Sequence, residues 1–161
     1  MGSFNVISPL EWELLGRILL GFALGAVLGW QRERSDRPAG LRTHMLVSAG
    51  STAFTIVSIY GFLEQGTVRD PARVAAQIVT GVGFLGAGTI WRTESAVRGL
   101  TTAASIWLAA AIGMFAGSGM YLLAIVTAIL GYICLEWLRP ASRRRRPIGE
   151  PSIVGRDTDD E

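Results

Sequence analysis

The sequence predicts an all-α, polytopic membrane protein with about five transmembrane helices. Three observations carry that prediction. Half of the 161 residues are hydrophobic, and the mean hydropathy is +0.38. The apolar residues fall in five blocks, Leu14–Trp30, His44–Leu63, Val74–Trp91, Leu100–Phe115 and Met120–Leu138. Each is roughly 16–20 residues, close to what a helix rising 1.5 Å per residue needs to cross about 30 Å of hydrocarbon. Charges gather between the blocks, whereas a soluble domain would alternate polar and apolar faces along each element.

Residues 1–13 form an N-terminal segment with no basic stretch before the first block, and Glu11 and Glu13 precede it, so the first span is expected to act as an uncleaved insertion signal. Within that span Gly21, Gly25 and Gly29 recur every four residues and share one helix face, a groove that another helix can enter closely. Arg17, four residues before the ridge, is expected to snorkel to the headgroups.

The third span opens with Asp70 as N-cap and Pro71 at the first helical position. Arg73, Gln77 and Thr80 then follow on one face. A polar stripe entering a membrane usually points into the protein or a wet cavity, so this helix is expected to be central in the bundle. Its run Gly81-Val-Gly83-Phe-Leu-Gly86 matches the letters of a dinucleotide-binding fingerprint. That fingerprint needs a preceding strand, a following helix and an acid about 20 residues on. Here Gly81, Gly83, Gly86 and Gly88 sit inside an apolar run, and the expectation is helix packing.

The Gly117-Ser118-Gly119 break after the fourth block is the weakest boundary, which leaves open a four-span form with blocks four and five as one bent hairpin. The last span ends at Trp137, placed for the interface. The tail, residues 139–161, is basic and then acidic, with no apolar pattern, and is expected to be disordered. Its Arg143–Arg146 run is read as an anchor on anionic lipid and not as a nucleic-acid site.

All fifteen basic residues are arginine. Twelve fall in the 31–43 loop, the 92–99 loop and the tail, and three fall on the opposite side. With five spans, that bias places the N-terminus outside and the C-terminus in the cytoplasm. An internal repeat also emerges. Leu24-Gly25-Ala26, Trp30 and Glu33 match Leu85-Gly86-Ala87, Trp91 and Glu94 at a constant offset, and Gly40-Leu41 and Thr43 match Gly99-Leu100 and Thr102 after a two-residue gap. Both loops are on the cytoplasmic side, so spans 1–2 and 3–4 would be parallel repeats.

If the loops face each other, they gather Glu33, Arg42, Thr43 and His44 with Glu94, Arg98, Thr101 and Thr102. One reading is charge anchoring, with Thr and His capping spans two and four. The other is a functional polar cluster. Glu33 and Glu94 offer oxygen ligands to a hard cation such as Mg²⁺, but no His/Cys/carboxylate spacing specifies a metal, and none is assigned. No cofactor motif and no nucleophile–base pair is visible, so an enzyme is not expected. The one cysteine, Cys134, lies in an apolar block and forms no intrachain disulfide.

Four segments, Pro38-Ala-Gly-Leu-Arg-Thr-His44, Asp70-Pro-Ala-Arg-Val-Ala-Ala-Gln77, Gly83-Phe-Leu-Gly-Ala-Gly88 and Val97-Arg-Gly-Leu-Thr-Thr-Ala-Ala104, together resemble the MgtC/SapB family of bacterial inner-membrane proteins. The resemblance covers about residues 12–138. It implies a role in magnesium homeostasis and in virulence-associated survival inside host cells, exerted by regulating partners such as the F-type ATP synthase. It points to Arg42, His44, Asp70, Arg73, Gln77, Arg98, Thr101 and Thr102 as functional positions. Family members often carry a folded cytoplasmic domain after the membrane part, and the short tail here is read as lacking it. The expectation is a non-enzymatic regulator or adaptor, with a weak lean to a homodimer. The alternative is a small transporter or channel for Mg²⁺ or another ion, with Asp70/Arg73/Gln77 and Glu33/Glu94 as its two mouths.

Overall fold

The computed structural model describes residues 8–61, 70–94 and 96–137. Five helices run in chain order: α1 Pro9–Arg34, α2 Leu41–Ile56, α3 Pro71–Ala87, α4 Leu100–Gly117 and α5 Tyr121–Trp137. A two-stranded hairpin, β1 Trp91–Thr93 and β2 Ala96–Arg98, joins α3 to α4, with Trp91 opposite Arg98. The all-α class is therefore observed. α1 and α4 are long and apolar enough to cross a membrane, and α3 and α5 are shorter apolar helices.

α1 starts earlier and ends later than its apolar block. Ser8 accepts the Glu11 N–H while the Glu11 carboxylate accepts the Ser8 N–H, a reciprocal capping box with Pro9 at the first helical position. At the other end the helix runs through the charged Gln31–Arg34 stretch, which carries Gln31 and Arg32 into the bundle. Gln31 Nε2 donates to Leu135 O at 3.1 Å, tying α1 to the end of α5.

The helices alternate in direction. Contacts of α1 with α4 join its start to α4's end (Arg17 to Gly117) and its end to α4's start (Arg32 to Thr102). α2 and α4 run parallel, since His44 meets Ser105 and Thr52 meets Gly113 at one sequence offset. The core around Leu28, Ala109, Ile112, Ala116, Ala124 and Ala128 joins α1, α4 and α5. A second core, Ile78, Val82, Ile106 and Ala110, fastens α3 to α4. α4 is thus the central helix and α3 lies at the edge. The sequence reading, which places α3 in the middle, is corrected on this point.

Small residues set the helix spacing. A Cβ at Gly25 would meet His44 O at 2.6 Å, and one at Gly29 would meet Leu41 Cα at 2.6 Å. α4 does the same from the other side, where a Cβ at Gly113 would overlap Ser48 O. α2 is held between these two glycine faces. Its inward residues are mostly polar: His44, Ser48, Ser51, Thr52 and Thr55 are buried, with Ile56 at the end, while Leu46 and Phe54 face out. Thr52 Oγ1 is 2.9 Å from both Ser48 O and Gly113 O, and Thr55 Oγ1 donates to Ser51 O at 2.8 Å. Replacing Thr52 by valine, which keeps the shape and removes the hydroxyl, is expected to cost about 1 kcal/mol in SDS-driven unfolding from mixed micelles.

The outside of the bundle is apolar. Leu19, Leu46, Phe54, Phe84, Leu122 and Leu130 are all more than half exposed. α5 buries only Ala124, Ala128 and Gly131. A polar interior with an apolar exterior fits a bundle surrounded by lipid, where every inner hydroxyl must find a partner within the protein. Trp30, Trp91 and Trp137 are exposed at one end of the bundle and Trp12 at the other, as expected for side chains seated in the headgroup layer.

Candidate functional site

The two ends of the bundle hold its charged interior groups, and they differ in one respect. At the end formed by the start of α1 and the end of α4, Arg17 is 8% exposed. Its guanidinium pairs with Glu13, donates to Gly117 O at 2.9 Å and to Tyr121 Oη at 3.1 Å, and lies over the rings of Tyr60 and Tyr121. Snorkelling to the headgroups is not what this residue does. It is a buried, fully partnered strut among α1, α4 and α5.

At the opposite end, Arg32 is 4% exposed and has no carboxylate within ion-pair distance among the described residues. Its Nη2 donates to Thr102 Oγ1 at 2.5 Å and to Pro38 O at 3.3 Å, and its buried Nε has no partner. Beside it His44, fully buried, places Nδ1 2.9 Å from Gly40 O and Nε2 3.0 Å from Ser105 Oγ. Ser105 Oγ donates in turn to Thr102 O at 2.8 Å. Arg32, Thr102, Ser105 and His44 therefore form one chain of polar contacts across α1, α4 and α2.

Glu33 turns away from Arg32. Its Oε2 accepts the Leu41 N–H at 2.8 Å and so caps α2 from the preceding helix. The caps themselves are glycines, Gly40 and Gly99, and neither helix start has a side-chain cap of its own. That corrects the expectation that Thr and His cap spans two and four. Gly40 leaves room for this arrangement, because a Cβ there would push the Glu33 carboxylate aside.

The remaining predicted positions are spread out. Arg42 is exposed in the first turn of α2, Glu94 and Arg98 are exposed on the hairpin, and Thr101 is exposed beside the buried Thr102. Asp70 caps α3, with Oδ1 accepting the Ala72 N–H at 3.0 Å. Arg73, Gln77 and Thr80 are exposed, so none of the α3 stripe is buried in the bundle, and of the three Gln77 lines an open groove against α2. Gly81 and Gly83 have nothing within 4 Å of a Cβ position, Gly88 meets only its own helix, and Gly86 touches Ala103 at ordinary contact distance. Of the packing glycines, Gly21, Gly25 and Gly29 make close approaches, on Thr52, on His44 and Ser48, and on Leu41 and Gly40. Arg143–Arg146 lie outside the described residues.

A groove of about 550 Å³ opens between α2 and α3, lined by residues including Leu46, Gly50, Phe54, Gln77, Gly81 and Leu85. Gly50 and Gly81 contribute no side chain, and no other part of the described chain fills the space. No group of three or more His, Cys, Asp or Glu side chains able to hold a metal ion occurs among the described residues.

Sequence reasoning missed Arg32, Ser105 and the hydroxyl stripe of α2. By its charge Arg32 reads as part of the 31–43 loop. The stripe was legible in the spacing of His44, Ser48, Thr52 and Thr55, which repeats every three or four residues.

The MgtC family model matches residues 18–144. A protein of Escherichia coli K12 named putative magnesium transporter YhiD is 50% identical over 128 residues, which is 77% of this chain and 60% of that protein. Protein MgtC of Salmonella typhimurium LT2 is 41% identical over 127 residues, 79% of this chain and 53% of the relative. An uncharacterised Haemophilus influenzae protein is 36% identical over 154 residues, 88% and 65% of the two chains. The chain thus spans between 53% and 65% of the length of these relatives. No solved structure matches.

Proposed function

The chain belongs to the MgtC family, and from that premise we propose that it is a non-enzymatic regulator or adaptor of the bacterial inner membrane. It acts on membrane protein partners when magnesium is limiting or under acid and intracellular stress. The observation that carries this reading is the outward face of α3. Arg73, Ala76, Thr80, Gly83 and Ala87 are all exposed along it, on a helix that buries only Ile78, Val82 and Gly86 among its described residues. A membrane helix that turns polar and small side chains toward lipid is stabilised when another helix covers them. The candidate partners are a second copy of this chain and, by family resemblance, the F-type ATP synthase.

In this proposal residues 14–138 form the membrane domain and cross the bilayer five times, with spans 1–2 and 3–4 as parallel repeats. The N-terminus lies outside. Trp30, Trp91, Trp137 and the arginine-rich loops mark the cytoplasmic face.

A second reading, a small Mg²⁺ transporter, is favoured by the name of the E. coli relative. Against it stands the interior polarity, where the hydroxyls of Thr52, Thr55 and Ser105 are engaged with backbone carbonyls of adjacent turns and helices, although that of Ser48 has no partner. Gly83→Leu tests the adaptor reading. With nothing within 4 Å of its Cβ position, the variant is expected to unfold at the wild-type temperature. It should nevertheless fail to restore growth at low Mg²⁺ to a strain lacking the protein. Full growth with a leucine there would remove this face from the mechanism.

A further inference from the structure

We infer that the start of α4, together with Arg32, is a binding site for a phosphoryl oxyanion at the end of the bundle that carries the hairpin. The inference is independent of whether the protein regulates or transports. A buried guanidinium costs several kcal/mol in desolvation unless an anion and further hydrogen bonds compensate it. Arg17 meets that requirement through Glu13, Gly117 and Tyr121. Arg32, more deeply buried, has one hydroxyl, one carbonyl and an unpartnered Nε.

The surroundings raise the positive potential further. Arg32 reaches Thr102, in the first turn of the 18-residue α4, where orphan N–H groups and the helix dipole favour negative charge. The cap there is Gly99, in a left-handed conformation, with no side chain to accept those N–H groups. α2 has the same glycine start but is supplied with a carboxylate by Glu33. The acid that aligns with Glu33 in the second half of the sequence is Glu94. It sits exposed on the hairpin and makes no hydrogen bond or ion pair among the described residues. One helix start therefore has its anion and the other has a cation facing it.

A phosphoryl group suits this combination, because its oxygens accept from a guanidinium and from helix N–H groups together. It could come from free phosphate or from an anionic lipid headgroup, and two arms separate these sources. In the first, purified protein in neutral detergent is heated in phosphate and in chloride of equal ionic strength. In the second, it is heated in nanodiscs of phosphatidylcholine with and without phosphatidylglycerol. At least one anion is expected to raise Tm by about 3 °C or more, and Arg32→Gln is expected to abolish that rise. A rise in the first arm identifies free phosphate, and one confined to the second identifies the headgroup. No rise in either arm, or an equal rise in Arg32→Gln, overturns the inference. Should Arg32→Gln not fold, Thr102→Val, which removes the hydroxyl anchoring the guanidinium, is expected to lose at least half of the rise; an undiminished rise overturns it equally.

Discussion

Leucine at position 25 is expected to separate α1 from α2 and to cost the protein about 3 kcal/mol or more. Even a methyl group there would sit 2.6 Å from His44 O and 2.8 Å from Ser48 Cβ. The nearest of these atoms is backbone, which cannot rotate away as a side chain can. Overfilling a well-packed contact typically costs 1–3 kcal/mol, and a rigid neighbour puts the cost at the upper end. The damage extends beyond packing, because His44 is also the link from α2 to Ser105 on α4. Gly16→Ala is the matched control on the same helix. Nothing lies within 4 Å of its Cβ position, so the change should be neutral or stabilise by up to about 1 kcal/mol through helix propensity. SDS-driven unfolding in mixed micelles measures both, and equal midpoints for the two variants would contradict the close approach of α1 and α2.

The second large effect is expected at Gly99, where alanine should destabilise the fold by roughly 3 kcal/mol. Its φ of 90° lies where a side chain costs about 1–3 kcal/mol. In addition, a Cβ would overlap the carbonyl oxygen of Thr89. Gly99 closes the hairpin onto the start of α4, so the strain falls where α3 and α4 are joined. Gly88→Ala, whose nearest atom is 3.4 Å away in its own helix, tests the same loop without the left-handed backbone. Thermal unfolding should separate the two by several degrees, and similar midpoints would argue against the backbone geometry assigned to Gly99.

What was legible in the sequence follows from how specific each signal is. Five apolar blocks gave five helices, because block length and turn residues act locally. The spacing of Gly21, Gly25 and Gly29 names a face, and that face meets α2 closely. Gly81 and Gly83 carry the same signal, yet they lie open. A glycine permits close approach but does not state whether a neighbour comes, and the neighbour is a property of the whole bundle. Arg73 and Gln77 are conspicuous in the sequence and draw the polar stripe to α3. The interior stripe belongs to α2, whose serines and threonines barely lower the hydropathy of their block. Arg32 was hidden by its charge, since a helix that continues past its apolar end carries charged residues inward only when neighbours receive them. Thr102 and Pro38 do so here, and both are distant from Arg32 in sequence or placed by a turn.

We propose that the bundle supports partners and does not carry ions. The most direct measurement is Mg²⁺ uptake into liposomes containing the purified chain, followed with an internal fluorescent indicator. Uptake is expected to equal that of protein-free liposomes. Saturable uptake that is lost in Asp70→Asn, a substitution at the cap of α3, would contradict it.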